Sequence, residues 1–175
     1  APVANAQAVT GNEDTAKSIT LTGSDPDGDP LTFQIMSQPS KGSLSGTAPN
    51  VTYTPNLNAN GSDSFTFRVN DGSLSSPNAT VSITVSPVND TPVANDESMT
   101  ALKGLATTTL DGGGTSLLVN DSDIDGDTLS VKPTPLVAPL HGTITLNSNG
   151  SFSYLHNNSL NTADSFAYEV CDNGT

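Results

Sequence analysis

Apolar residues in this chain recur at every second position, in short runs. Phe65, Phe67 and Val69 alternate with Thr66, Arg68 and Asn70, and Val81, Ile83 and Val85 repeat the pattern further on. Ile19 with Leu21 and Phe33 with Ile35 do the same over shorter stretches. A period of two places one face of a strand inward and the other in water. Clusters of Gly, Pro, Asn and Asp separate the runs about every 8–12 residues, and no stretch shows a helical period. The first half of the chain therefore predicts strands A at 3–10, B at 17–22, C at 31–36, D at 42–45, E at 50–54, F at 64–70 and G at 79–85. About seven short strands in roughly 88 residues form a Greek-key β-sandwich with an aliphatic core and one or two aromatics in each late strand.

The pattern occurs twice. Pro2-Val3-Ala4-Asn5 recurs as Pro92-Val93-Ala94-Asn95, and Asp25-Pro26-Asp27-Gly28-Asp29-Pro30-Leu31 as Asp123-Ile124-Asp125-Gly126-Asp127-Thr128-Leu129. Lys41-Gly42-Ser43-Leu44 matches His141-Gly142-Thr143-Ile144, and Asp63-Ser64-Phe65-Thr66-Phe67 matches Asp164-Ser165-Phe166-Ala167-Tyr168. Matches kept in order identify a repeat of one supersecondary unit. The expected fold is all-β, two tandem Greek-key β-sandwich modules at 1–88 and 89–175, joined at Val88-Asn89-Asp90-Thr91-Pro92. The second module runs through strand F at 165–170, and no run for strand G follows. Its last strand is thus expected to be missing. That leaves an F-strand edge exposed, a pairing liability, unless strand A or a neighbouring chain covers it. No signal-peptide pattern opens at Ala1, so an interior segment of a longer protein is expected.

Charge narrows the function. Eighteen acidic residues against five basic give the 175-residue chain a formal net charge of -13. Such a surface repels phosphate backbones and excludes nucleic acid as a partner. No apolar run approaches the roughly 18 residues of a membrane span. Among the acids only Glu13, Glu97 and Glu169 are Glu, and the other 15 are Asp. Asp favours turns and short-reach coordination rather than helix faces. The Asp residues cluster at 25–29 and 121–127.

Ca²⁺ takes 6–8 oxygen ligands at about 2.3–2.6 Å. An Asp-x-Asp-Gly-Asp loop sets alternate carboxylates on one side of a turning backbone, and Gly relieves the bend. Two carboxylates 4 Å apart repel by about 1 kcal/mol in water and about 4 kcal/mol at an effective dielectric of 20, so a cluster favours a cation. Asp121, Asp123, Asp125 and Gly126 match the first half of an EF-hand, but Lys132 stands where its bidentate Glu belongs and no helices flank the loop. An EF-hand is rejected. The competing reading is that Asp and Gly are ordinary turn residues in solvated loops.

Sandwich topology says which acids can meet. The BC and FG loops lie at the end beside the N-terminus, and the AB and EF loops at the other. Asp25, Asp27, Asp29 and Asp71 are expected to converge near Asn5, and Asp123, Asp125, Asp127 and Asp172 near Asn95. Glu13, Asp63, Asn89 and Asp90 would form an inter-module calcium site with the 123–127 loop. Glu13 or Asp14 could equally cap a turn, and Asp63 and Asp164 could anchor the EF loops by hydrogen bonds. Lys103 stands where the first module has Glu13, which disfavours Ca²⁺ at a following junction.

The run from Leu117 to Leu129, with His141-Gly142-Thr143-Ile144, Gly150-Ser151-Phe152-Ser153-Tyr154 and Asp164–Tyr168, resembles the bacterial cadherin-like and VCBS-type tandem repeats. The first module, through Asn12-Glu13-Asp14-Thr15 and Asp25–Leu31, is similar to their Ig-like and cadherin-like relatives. The Val88–Pro92 junction resembles the calcium-binding linkers between cadherin repeats. The resemblance implies a calcium-rigidified extender or adhesion segment of a large secreted or cell-surface bacterial protein, with Ca²⁺ as cofactor. It implies neighbouring repeats of the same chain as partners, in a monomer. The alternative is a carbohydrate-binding or homophilic cell-adhesion module, with surface glycans or another cell-surface protein as partner. The absence of Trp and the inward positions of Phe65, Phe67, Phe152 and Phe166 argue against sugar stacking.

Catalysis finds little support. His141 precedes a strand-starting Gly and is expected in an exposed turn, while His156 sits in the Asn-rich 155–161 stretch with no evident partner. Cys171 has no His at a pairing distance in sequence, and no Ser occupies a Gly-x-Ser-x-Gly elbow. Paired Asp residues for glycoside hydrolysis need a cleft that modules of this size do not wrap. No enzyme activity is expected.

Overall fold

A computed structural model describes residues 1–173; residues 174–175, the tail of the second predicted module, lie outside the described residues. The chain divides into two compact units, Ala1–Val88 and Asn89–Thr175. No helix occurs among the described residues, so none is long and apolar enough to cross a membrane.

The first unit has nine strands: β1 (Val3–Ala4), β2 (Gln7–Asn12), β3 (Lys17–Thr20), β4 (Gly23–Ser24), β5 (Thr32–Ser37), β6 (Gly42–Thr47), β7 (Asn50–Pro55), β8 (Gly61–Asn70) and β9 (Ala79–Ser86). One sheet runs β2-β9-β8-β5 and the facing sheet β3-β7-β6, with β1-β4 as a short third pair. The single strand A predicted at 3–10 is in fact two. Val3 and Ala4 pair with β4, whereas Gln7–Asn12 crosses to the other sheet and runs parallel to β9. Asn5 marks the crossing, its N–H bonded to the Thr22 carbonyl at 3.0 Å. Strand B splits correspondingly into β3 and β4.

Alternation decides the core. On β8, Phe65, Phe67 and Val69 are 0% exposed, and on β9 Val81, Ile83 and Val85 are 0–2% exposed. Removing a ring of this kind costs about 3–5 kcal/mol. Phe33 stacks on Phe67 with centroids 6.3 Å apart. The outward positions pair across the strands: Arg68 donates through Nε and Nη2 to Gln34 Oε1 at 3.0 and 2.8 Å.

The second unit contains β10 (Ala106–Thr107), β11 (Ser130–Val131), β12 (Gly142–Leu146), β13 (Phe152–His156) and β14 (Val170–Cys171), in sheets β10-β13-β12 and β11-β14. Its core is Leu110, Leu117, Val131, Leu146 and Phe152, with Phe166 and Tyr168 packed against it. The predicted strand F is regular only at β14. Ala167 exchanges two further bonds with Val137, its N–H at 3.0 Å and its carbonyl at 3.3 Å. Residues 97–102, the counterpart of β2, pair with no strand among the described residues. Phe166, Tyr168 and Val170 are partly exposed, where their counterparts Phe65, Phe67 and Val69 are sealed. Burial of those three in the first unit depends on β9, which has no described counterpart in the second.

Candidate metal centre

The two Asp-x-Asp-Gly-Asp loops fold alike. Asp25 Oδ1 accepts the N–H of Asp27 at 2.8 Å and of Asp29 at 3.4 Å, and Asp123 Oδ1 accepts those of Asp125 at 2.9 Å and Asp127 at 3.3 Å. Gly28 and Gly126 take φ of +80° and +79°, a conformation that favours glycine. In each loop the leading Asp thus turns one oxygen onto the backbone. Its other oxygen, Asp25 Oδ2 or Asp123 Oδ2, is buried without a hydrogen-bond partner among the described residues.

The loops differ in how the carboxylates gather. Asp123, Asp125 and Asp127 each present an oxygen within 4.8 Å of the others, and among the described residues Asp25, Asp27 and Asp29 form no such group. Oxygens on one Ca²⁺ can be no farther apart than about 4.6–5.2 Å, twice the ligand distance. The second loop meets that limit. Burial raises the Asp127 carboxyl above the usual range, and the charges of Asp123, Asp172 and Asp125 add to it. Asp172, which follows β14, therefore belongs to the same electrostatic group. The linker reaches the loop as well, since Asp90 donates its N–H to Asp125 Oδ2 at 2.8 Å.

Beside this group lies a further acidic pair. Asp121 Oδ1 accepts the Asn95 N–H at 2.8 Å, while Oδ2 is buried without a hydrogen-bond partner among the described residues. Glu97 Oε2 accepts the Tyr168 hydroxyl at 2.6 Å, and Oε1 is likewise buried without one. Burial raises the Glu97 carboxyl, the Tyr168 bond opposes this, and Asp121 and Asp96 push it further up. Sequence reasoning missed Glu97. Its signal was position: it follows the second Pro-Val-Ala-Asn motif by two residues, where the first module carries Gln7.

The remaining candidates are engaged in hydrogen bonds within their own units. Glu13, 2% exposed, accepts the Val88 N–H at 2.8 Å and the Asn60 amide at 3.3 Å. Asp63 accepts N–H groups of Ser40 at 2.8 Å, Lys41 at 2.9 Å and Ser64 at 2.9 Å, and the Tyr53 hydroxyl at 2.8 Å. Asp164 repeats this set with Leu140, His141, Ser165 and Tyr154 at 2.8–3.0 Å. Asp71 turns onto its own loop, accepting the N–H groups of Ser73 and Leu74 at 2.7 Å each. Asn89 donates to the Asp90 carbonyl at 3.2 Å. His156 departs from expectation: it ends β13, is 9% exposed, accepts the Asn158 N–H on Nδ1 and faces the Asn161 carbonyl through Nε2. Alternation on β13 buries it.

Residues 1–84 match the bacterial Ig domain model, and residues 89–175 match the bacterial cadherin-like domain model. The chain is a tandem of bacterial Ig-like and cadherin-like repeats. It is similar to the human extracellular matrix organizing protein FRAS1, 29% identical over 201 residues, covering 92% of this chain and 5% of that protein. The chain thus spans a small fraction of that relative's length. Human CDH23 EC21-23 shares the fold at a TM-score of 0.50 and 15% identity, covering 97% of this chain and 62% of that one. Human mucin-like protocadherin EC1-2 aligns at a TM-score of 0.47 and 11% identity, over 98% of this chain and 97% of that one.

The two repeats share one acid response, and the cadherin-like repeat adds a second of opposite sign. Burial alone would raise Asp63, but the Ser40, Lys41 and Ser64 N–H groups and the Tyr53 hydroxyl hold it below the usual value. Asp164 is lowered by the equivalent donors against the same opposing burial. A depressed carboxyl contributes stability above its unfolded pKa of about 3.9 and loses it as pH falls through the folded value. Glu97 and Asp127, both raised, gain stability as pH falls through their folded values. In EGTA the melting temperature of the Ig-like repeat should fall steadily below about pH 4. That of the cadherin-like repeat should first rise on acidification and then fall. Thermal melts between pH 3 and 7 check this, and parallel curves for the two repeats would contradict it.

Proposed function

We propose that this segment is a calcium-binding, calcium-rigidified extender of adhesion type, a non-enzymatic spacer within a large extracellular or cell-surface bacterial protein. The observation that carries the proposal is the Asp123-Asp125-Asp127 group, with oxygens within 4.8 Å of one another and Asp123 Oδ2 buried without a hydrogen-bond partner among the described residues. A hard dication fits such an all-oxygen set, and carbonyls and water complete its 6–8 ligands. Asp172 adds charge at this centre, and Asp121 is a ligand candidate beside it. Asp25, Asp27, Asp29 and Asp71 offer a weaker acidic end on the Ig-like repeat. Glu13, Asp63, Asn89 and Asp90 are linker-proximal candidates already engaged in hydrogen bonds. Metal bound at the Asp125 loop would hold the linker through Asp90. Its chief partners are then neighbouring repeats, with surface glycans or another cell-surface protein as further ones.

Extracellular calcium modules have dissociation constants of about 10⁻⁴–10⁻³ M. At ten times that concentration one site contributes roughly 1.4 kcal/mol. The cadherin-like repeat should therefore melt several degrees higher in 5 mM CaCl₂ than in EGTA. Replacing Asp125→Asn together with Asp127→Asn should abolish the difference and leave the EGTA melting temperature equal or higher, because it removes repulsion. Calorimetric titration of the double variant with undiminished calcium binding would overturn the assignment. Small-angle scattering of the same samples tests rigidification: a narrower distance distribution in calcium is expected, and an unchanged one confines calcium to stabilising single repeats.

A further inference from the structure

Both ring nitrogens of His156 are spent on one loop. Nδ1 accepts the N–H of Asn158 at 3.1 Å, and Nε2 lies 3.2 Å from the Asn161 carbonyl. A backbone N–H only donates and a carbonyl only accepts, so the ring is neutral with its proton on Nε2. Alternation on β13 holds the ring inside, and the loop that follows, 157–161, is pinned to it at two points. A third tie, from the Asn157 N–H to the His141 carbonyl at 2.9 Å, does not involve the ring.

The Ig-like repeat pins the corresponding loop by other means. Gly42 pairs with Pro55 and Gly142 with His156, so Pro55 stands at the His156 position. There the Asn58 N–H is held by the Asp14 carboxylate at 2.9 Å and the Asn60 amide by Glu13 at 3.3 Å. The second repeat has Lys103 and Gly104 at the positions of Glu13 and Asp14. Gly104 keeps the left-handed backbone of Asp14, with φ of +71° against +54°. With both acids replaced, an imidazole supplies the acceptor. The exchange changes the pH at which the loop lets go. A carboxylate accepts down to about pH 4, a histidine only to about pH 6.5.

We propose that His156 is an acid-released latch, whose protonation frees 157–161 at a mild acidity that leaves the Ig-like loop closed. Imidazolium carries an N–H on both nitrogens, so Nδ1 then meets the Asn158 N–H donor to donor, and a backbone N–H cannot turn to offer an acceptor. His141 differs. Its Nδ1 lies 3.2 Å from the Asn161 side-chain amide, which can turn its oxygen to a protonated ring. Lys103 and Asp164 set charges of opposite sign on the cavity that His156 faces. Asp164 is held low by its hydrogen-bond donors against its burial, while burial and the Asp164 bond push Tyr154 up to about 12. Asp96, Glu97 and Tyr168 complete the ionisable lining, and Glu97 is bonded to Tyr168 rather than to the loop. Release is local, because the β12–β13 ladder keeps its own bonds. It lowers the melting rise expected from Glu97 and Asp127 by no more than the free energy of opening the loop.

Amide exchange of the whole 175-residue chain, read residue by residue by NMR and corrected for the intrinsic rate at each pH, tests the latch. An open loop whose histidine titrates at the ordinary value of about 6.5 gains population about 30-fold between pH 7.5 and 5. Protection of the Asn158 N–H should fall by that factor, in step with the ¹⁵N signal of His156 Nδ1 changing from acceptor to protonated. His156→Gln keeps an acceptor and a donor but cannot charge, and should flatten the profile. His141→Gln should leave it as it is. Gly104→Asp, which restores the carboxylate of the first repeat, should carry protection down to about pH 4. The Asn58 N–H should show no fall over the same range. Absent or constant protection at Asn158 would overturn the proposal, as would a fall that persists in His156→Gln. A parallel fall across the β12–β13 amides would overturn it too, since the whole repeat would then be unfolding.

Discussion

Asp63→Ala should destabilise the Ig-like repeat by about 3–5 kcal/mol, because it strips the acceptor from several buried donors at once. The Tyr53 ring is 1% exposed, and burial together with the Asp63 bond pushes its pKa up to about 12. Without the carboxylate that hydroxyl has no partner, nor do the N–H groups of Ser40 and Lys41 at the turn into β6. For a unit of this size the loss amounts to a fall of roughly 15–30 °C in melting temperature. The milder Tyr53→Phe removes one donor, leaves the carboxylate four others, from the Ser40 N–H and hydroxyl and the Lys41 and Ser64 N–H groups, and should cost about 1 kcal/mol. Denaturant melts in EGTA decide between anchor and metal ligand. A role confined to metal would leave Asp63→Ala unchanged without calcium, whereas an anchor is lost in either condition.

Gly142→Ala should be nearly as severe for the cadherin-like repeat. An added Cβ would lie 2.5 Å from Tyr154 Cε2, 2.6 Å from its Cζ and 2.7 Å from the Leu155 carbonyl. The ring cannot withdraw, since its hydroxyl is held by Asp164 at 2.8 Å, and the carbonyl belongs to the β12–β13 ladder. Overpacking of this kind costs about 1–3 kcal/mol and occasionally more, and here the upper end is expected. Gly126→Ala is the control: its φ is +79° but no atom lies within 4 Å of the added Cβ, so only backbone strain of about 1 kcal/mol applies. Thermal melts of the two variants should differ by several degrees. Equal melts would mean that the Gly–Tyr contact relaxes freely.

Alternation made the strands legible. β3, β5, β6, β7, β8 and β9 fall within a few residues of where the two-residue period puts them. The order of the repeats made the loops legible, and both Asp-x-Asp-Gly-Asp segments form the same turn. What stayed hidden depends on partners distant in sequence. The crossing of strand A between sheets follows from bonds near Asn5 to Thr22, which no local period encodes. From sequence Asp63 reads as either ligand or anchor and Asp164 as an anchor; only the fold sets Tyr53 and Tyr154 on them across the sheet. Glu97 was invisible because a single Glu carries no pattern; it is the packing of Tyr168 and Asp121 around it that sets its chemistry.

The parallel pairing of β2 with β9 bears on how the Ig-like repeat carries tension. Its first long strand and its last strand are direct neighbours, paired from Gln7↔Val81 to Asn12↔Ser86. Pulling on the two ends of that repeat drags these strands along each other in opposite directions. The whole ladder is loaded in shear, so its bonds resist together rather than opening one after another like a zip.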